Sequence, residues 1–187
     1  MKIGILGGTF NPPHIGHCIL AQEMMDKLSL EKILFIPTNI SPHKQESKMV
    51  SAQHRLEMVS RMIQDRQCFA VSDYEIKREG ISYTVDTLEY LKGEYPNDEI
   101  SLIIGSDLAC QFKQWRSPER IRELARIVVG RRREFPAPTD NAFLPVDILQ
   151  IEISSSRIRQ MRTQGLSVQY LLNGRVYEYI EQHRLYL

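Results

Sequence analysis

The sequence predicts an α/β chain built on a doubly wound parallel sheet. Short apolar runs recur along the chain, each followed by a segment with helical spacing. The first 36 residues read as strand, helix and strand, which makes a parallel pair with a right-handed crossover. Turns carrying glycine, proline or serine follow the strands, at the carboxyl edge where such sheets bind their ligands.

The elements follow in order. Ile3-Gly4-Ile5-Leu6 is a buried first strand. After a glycine turn, Cys18, Ala21, Met25 and Leu28 recur at three- and four-residue steps on a first helix. Lys32–Ile36 is a second strand stopped by Pro37, and residues 37–45, with two prolines and no periodicity, form a loop. A helix over residues 53–65 buries Leu56, Val59 and Ile63, and Phe69–Ser72 is a short third strand. Asp73–Glu79, charged and half-alternating, is expected to be extended at an edge. Ser82–Leu88 opens a helix, with Thr84 or a neighbour as cap and Leu88, Leu91 and Tyr95 inward. Ile100–Ile104 and Ile127–Gly130 are further strands, with helical stretches around Trp115 between them. Arg131-Arg132-Arg133 begins a proline-rich connector, Asp147–Glu152 reads as the last strand, and Ser154–Ser156 start a helix. Residues 168–183 close the chain with one or two helices contacting the core through Val176 and Ile180. There are no repeats and no linker, so one domain over residues 1–187 is expected.

Charge narrows the function classes. With 24 basic and 23 acidic residues, nothing in bulk electrostatics favours nucleic acid or a membrane surface. Three scattered cysteines fit a reducing compartment rather than a disulfide framework. No run approaches ~18 apolar residues and the N-terminus reads as a strand, so a soluble cytoplasmic protein is expected.

The chemistry concentrates in Gly7-Gly8-Thr9-Phe10-Asn11-Pro12-Pro13-His14-Ile15-Gly16-His17. A strand, a glycine turn and a helix start bring unpaired N–H groups and the positive end of a helix dipole to one point, which attracts phosphate. Two alternatives stand beside that reading: a turn whose glycines serve only conformation, and a metal pair formed by His14 and His17. Gly105-Ser106-Asp107 is a second turn of this kind, although helix capping explains Asp107 equally well. Capping accounts for one or two of Ser154–Ser156, but not for Arg159 one turn further in. Lys44 leaves the same sheet edge on the proline-rich loop, where a solvated connector is the plainer reading. An isolated tryptophan such as Trp115 is more often core than ligand platform, but its neighbours Lys113, Gln114 and Arg116 are polar and suit a pocket lip. No Ser–His–Asp or Cys–His arrangement suggests a covalent nucleophile. Histidines, hydroxyls and fixed cations around backbone donors suit a reaction that develops charge on phosphate oxygens.

These strings carry a resemblance. His14-Ile15-Gly16-His17 and Ile153–Arg159 are similar to the motifs of the nucleotidyltransferase superfamily. Pro42-His43-Lys44, Ser82-Tyr83-Thr84 with Asp86-Thr87-Leu88, Gly105-Ser106-Asp107, Trp115 and Leu185-Tyr186 extend the likeness over nearly the whole chain. Together they resemble the bacterial nicotinate-nucleotide adenylyltransferases. The resemblance implies a Rossmann-like nucleotidyltransferase fold and adenylyl transfer from ATP to nicotinate mononucleotide, giving deamido-NAD and pyrophosphate with Mg²⁺ assisting. It implies that Gly7, Gly8, Thr9 and Phe10 line the ATP site, and that His14 and His17 meet the triphosphate, His17 nearest the α-phosphate. Ser154, Ser155 and Arg159 would hold the β- and γ-phosphates, Gly105 and Asp107 the adenosine, and Lys44 the acceptor phosphate. Trp115 would stack on the nicotinate ring while backbone N–H groups around Tyr83 and Thr84 meet its carboxylate. No metal-ligating side chain is implied, and self-association into a homo-oligomer is left open. The chain departs from the common pattern at Asn11 (often aspartate), Arg116, Ser156 and Asn173. None of these touches the histidines or Arg159, so activity is expected to survive.

Three rivals weigh less. Pantetheine-phosphate adenylyltransferase shares the opening motif but not Ser-Tyr-Thr or Trp115. A class I aminoacyl-tRNA synthetase fragment would place its lysine element far beyond Ser47-Lys48-Met49-Val50-Ser51. A non-catalytic nucleotide sensor would have no use for both histidines and Arg159.

Overall fold

The computed structural model describes residues 1–42, 49–131 and 140–187. Its sheet among these residues has six strands, β1 (Lys2–Gly8), β2 (Lys32–Pro37), β3 (Phe69–Val71), β4 (Glu99–Gly105), β5 (Arg126–Arg131) and β6 (Phe143–Asp147). The spatial order is β3-β2-β1-β4-β5-β6, every pair parallel, so the direction of winding reverses between β1 and β4. The expected doubly wound sheet is therefore present, and a crevice opens at that reversal.

The strands read as continuous apolar runs because both sheet faces are covered. Period-two alternation divides them between two cores. Ile33, Phe35, Ile103 and Val128 face one core, with Ala21 and Met24 of α1 (Ile15–Leu28) and Met58, Val59 and Ile63 of α2 (Ala52–Ile63). Ile3, Ile5, Leu34, Leu102 and Val129 face the other. That second core is closed by Val85, Leu88 and Leu91 of α4 (Thr84–Glu94) and Ile121 of α6 (Pro118–Leu124). The remaining helices are α3 (Tyr74–Arg78), α5 (Ser106–Gln111), α7 (Ser155–Thr163) and α8 (Gly174–Gln182), with short 3₁₀ turns at Phe112–Gln114 and Gln169–Leu171. Val176 and Ile180 of α8 are fully buried in the first core, as expected, and Ile158 of α7 joins them there. No helix among the described residues is long and apolar enough to cross a membrane.

Four local expectations are corrected. Residues 74–78 are helical rather than extended: Lys77 pairs with Asp73 one turn back at 2.9 Å, and Tyr74 stacks on Tyr90 of α4 at 3.9 Å. The last strand is Phe143–Asp147, not Asp147–Glu152. Pro145 lowers the strand signal there, and it is tolerated because β6 is an edge. On α1 the buried position is Met24, whereas Met25 only packs against the core from outside. On α2 the buried stripe runs Arg55, Met58, Val59, Met62 and Ile63, leaving Leu56 half-buried.

Arg55 positions the site. It is 1% exposed, and its guanidinium donates to carbonyls from three loops. Nη1 reaches Thr9 O at 2.9 Å and Thr38 O at 2.5 Å, Nη2 reaches Asn39 O at 3.0 Å, and Nε reaches Val50 O at 3.3 Å. The planar fork suits several carbonyls at fixed angles, which a lysine ammonium cannot reproduce. Each buried carbonyl left without a donor costs about 1–3 kcal/mol. Arg55→Met should therefore lower stability by about 3 kcal/mol or more, a fall of roughly 10 °C in a chain of this size. Arg55→Lys should recover only part of the loss. Thermal unfolding of both variants checks this, and a wild-type midpoint in Arg55→Met would show that the fork stabilises nothing.

Candidate active site

The glycine turn emerges from β1 at the centre of the sheet. Gly7 has open space where a side chain would stand, so its backbone borders the crevice directly. Phe10 adopts a left-handed backbone, φ 50°, and turns its ring inward to 2% exposure. There it meets the His17 ring edge-on, with centroids 4.9 Å apart. The cost of that backbone is met by burying an aromatic side chain in the first core.

His14 caps α1, and its backbone N–H donates to His17 Nδ1 at 3.0 Å. Nδ1 is therefore an acceptor, which puts the proton of neutral His17 on Nε2. The two imidazoles lie with centroids 3.8 Å apart and planes tilted by 31°. Gly16 is part of that arrangement. A Cβ there would sit 3.0 Å from His14 Nδ1, so the missing side chain lets the ring fold over the first turn. Cys18, the nearest further candidate ligand, packs against the first core, where burial pushes its thiol up to about 11. Among the described residues no three His, Cys, Asp or Glu side chains are placed to hold a metal.

The start of α7 docks onto the same turn from far along the chain. Arg159 Nη1 donates to Asn11 O at 2.8 Å, and Ser155 Oγ donates to Pro12 O at 2.8 Å. Ser154 is the N-cap and accepts from Arg157 N at 3.2 Å. Asn11 is itself buried, and its Oδ1 accepts from Tyr186 Oη at 2.9 Å and from Val50 N at 3.4 Å. The penultimate residue thus fastens the glycine turn.

On the other side of Gly7–Thr9 a pocket opens between the ends of β1 and β2 and the start of α4. Tyr83, Thr84, Thr87, Trp115, Ser82 and Glu75 contribute to its wall. Tyr83 caps α4 through its backbone alone, so hydroxyl capping is not what places Thr84. Trp115 is half-buried, resting on Phe112 at 5.3 Å while facing the pocket, so core and pocket readings both describe it. Arg116 lies over the Tyr83 ring at 4.6 Å. Gly105 ends β4, next to β1, and is the N-cap of α5, so Asp107 lies in the first helical turn rather than at the cap position. Lys44 lies outside the described residues.

The structure thus brings Gly7, Gly8, Thr9, Tyr83, Thr84 and Trp115 to one pocket. It joins His14, His17, Ser155 and Arg159 around residues 10–13, with Gly105 at the neighbouring strand end. Sequence patterns missed Arg55 and Glu75, and gave Tyr186 a place in the resemblance but no role. Arg55 had a visible signal, since it falls on the buried stripe of α2 at spacing with Met58, Val59 and Met62; the other two are joined only by distant contacts.

The cytidylyltransferase-like family profile matches residues 5–161. The nicotinate-nucleotide adenylyltransferase of Bacillus subtilis is 37% identical over 185 residues, spanning 99% of this chain and 98% of its own. Two solved structures of Plasmodium falciparum nicotinic acid mononucleotide adenylyltransferase, complexed with NaAD and with APC, superpose with TM-scores of 0.80 each. They are 22% and 19% identical, covering 99% of this chain and 97% and 96% of theirs. At that identity the structures speak for the fold.

The Asn11–Tyr186 contact is directly testable. Tyr186→Phe removes one buried hydrogen bond and should lower unfolding free energy by about 1 kcal/mol. Urea unfolding reads it, and an unchanged midpoint would remove Tyr186 from the forces holding the turn.

Proposed function

This chain belongs to the cytidylyltransferase-like family, and within it to the nicotinate-nucleotide adenylyltransferases, and from that premise we propose that it joins ATP to nicotinate mononucleotide, giving deamido-NAD and pyrophosphate, a step of NAD biosynthesis. The observation that carries this reading is the docking of α7 on the glycine turn. It collects His14, His17 and Arg159 at one edge of the sheet, beside a pocket with an aromatic wall.

The roles follow from chemistry. Backbone N–H groups of Gly7–Phe10 border the nucleotide, and Gly105 and Asp107 bind its adenosine. The triphosphate lies between the histidines and the N-terminus of α7. Ser155 has its proton on Pro12 and Ser154 caps the helix. Their help to the β- and γ-phosphates therefore comes from backbone N–H groups and the helix dipole, with Arg159 as the fixed cation. His17, held through Nδ1, offers Nε2–H to the α-phosphate, and His14 supports it. A phosphate oxygen of the acceptor attacks the α-phosphorus in line, the bond to the β-phosphate bridge breaks, and pyrophosphate leaves without a covalent enzyme intermediate. Charge grows on oxygens already facing donors, which is where preorganised donors accelerate most.

Trp115 stacks on the acceptor ring, and first-turn N–H groups of α4 around Tyr83 and Thr84 receive its carboxylate. Lys44 is assigned to the acceptor phosphate. Mg²⁺ fits as a companion of the triphosphate rather than of a protein cage, since no three His, Cys, Asp or Glu side chains cluster among the described residues, and it would neutralise phosphate charge. The partners are small molecules, and free Cys18, Cys68 and Cys110 support a cytoplasmic setting.

Pyrophosphate release from ATP, measured with nicotinate mononucleotide, nicotinamide mononucleotide and phosphopantetheine, tests the assignment. The acid is expected to be the preferred acceptor, and release with phosphopantetheine alone would overturn it. His17→Ala should lower kcat by about 10²–10³ with the fold retained; near-normal turnover would remove His17 from the chemistry. Trp115→Ala should raise KM for the acceptor more than for ATP, and an equal rise in both would place Trp115 elsewhere.

A further inference from the structure

Glu75 is a carboxyl for which the proposed reaction has no task. It stands on α3 at 5% exposure and contributes to the wall of the pocket that holds Trp115. Oε1 accepts from Thr87 Oγ1 at 2.7 Å, tying α3 to the first turns of α4. Oε2 is sealed from solvent and accepts no hydrogen bond among the described residues. Tying two helices together needs one acceptor oxygen, which an uncharged glutamine supplies without the desolvation cost of a carboxylate.

The arginines around it are engaged elsewhere, and Arg116, which lines the same pocket, lies over the Tyr83 ring at 4.6 Å and 3.9 Å from Asp86. Arg78, on its own helix, pairs with Asp86 of α4 at 3.2 Å. Arg55 of α2 spreads its fork over loop carbonyls. Burial holds the Glu75 carboxyl above its ordinary value, a rise that the Thr87 and Ser82 hydroxyls and the fields of Arg78 and Arg55 offset only in part. A cation entering the pocket would favour the ionised form.

We propose that Glu75 sets the charge selectivity of the acceptor pocket, as the counter-charge behind the wall for a cationic aromatic ring stacked on Trp115. This rests on the acceptor reading above and narrows it by chemistry. An N-glycosylated pyridine has given its nitrogen lone pair to the sugar and carries a positive ring. A tryptophan face and a nearby carboxylate both attract such a ring, while the α4 amides take a ring carboxylate. The carboxylate acts through its field rather than by contact, and in a pocket of low effective dielectric that field is felt across several ångströms. The pocket then disfavours a neutral ring of the same shape.

The test compares nicotinate mononucleotide with its 1,4-dihydropyridine counterpart, which keeps the phosphate, ribose and carboxylate but has no ring charge. Wild-type protein should prefer the pyridinium acceptor in kcat/KM by about tenfold or more. Glu75→Gln, which keeps an acceptor oxygen for Thr87, should lower that ratio severalfold, leaving only the preference due to the Trp115 face, while KM for ATP stays put. Glu75→Asp should restore a preference. A merely structural Glu75 would weaken both acceptors alike, so an unchanged ratio in Glu75→Gln overturns the proposal. If that variant does not fold, the wild-type ratio decides: equal use of both rings overturns it. Absence of any turnover with nicotinate mononucleotide would instead count against the acceptor reading itself.

Discussion

Carbonyls of Thr9, Thr38, Asn39 and Val50 converge on the guanidinium of Arg55, and the geometry of the site depends on that convergence. Thr9 follows β1, Thr38 and Asn39 follow β2, and Val50 leads into α2. A loop alone pays heavily in conformational entropy to hold one shape. Anchoring three loops to one buried fork means that ordering one helps order the others. The charge stays buried because its hydrogen bonds are made, as buried polar networks require.

The same economy appears at the histidines. A backbone N–H from His14 fixes the tautomer and aim of His17, and Gly16 makes room for the His14 ring. Asn11 and Pro12 then present carbonyls to Arg159 and Ser155, so α7 and the turn orient each other. The two histidines and Arg159 gather on this side of Gly7–Thr9, and on the other a buried carboxyl contributes to a pocket wall that also includes Arg116.

The sheet was legible because its signals are local. Runs such as Ile33–Ile36 and Leu102–Ile104 alternate between two cores, and that alternation is what a strand covered on both faces must show. The helix of residues 74–78 was not legible, since its pairing of Asp73 with Lys77 competes with an alternating charge pattern and its stability comes from Tyr90 on another helix. Asp147–Glu152 misled for a related reason: apolar residues there include Leu149, which is 60% exposed, while the true edge strand contains a proline. Of the site, Gly7–His17 could be read directly. Arg55 was overlooked because a charged residue on an apolar stripe looks like an error of register.

What the amino-acid order determined by itself was the class of sheet, the glycine turn between the first strand and the first helix, and the pairing of two histidines across one helical turn. These depend on neighbours within a few residues, where periodicity and N–H geometry leave little freedom. Only the tertiary structure decided which carbonyls hold Arg159, that Tyr186 fastens Asn11, and that Glu75 backs the pocket of Trp115. Those contacts span between 40 and 175 positions of chain. No local pattern encodes them, because each exists only where packing of two separate cores brings strand ends, loops and the chain terminus to the same edge.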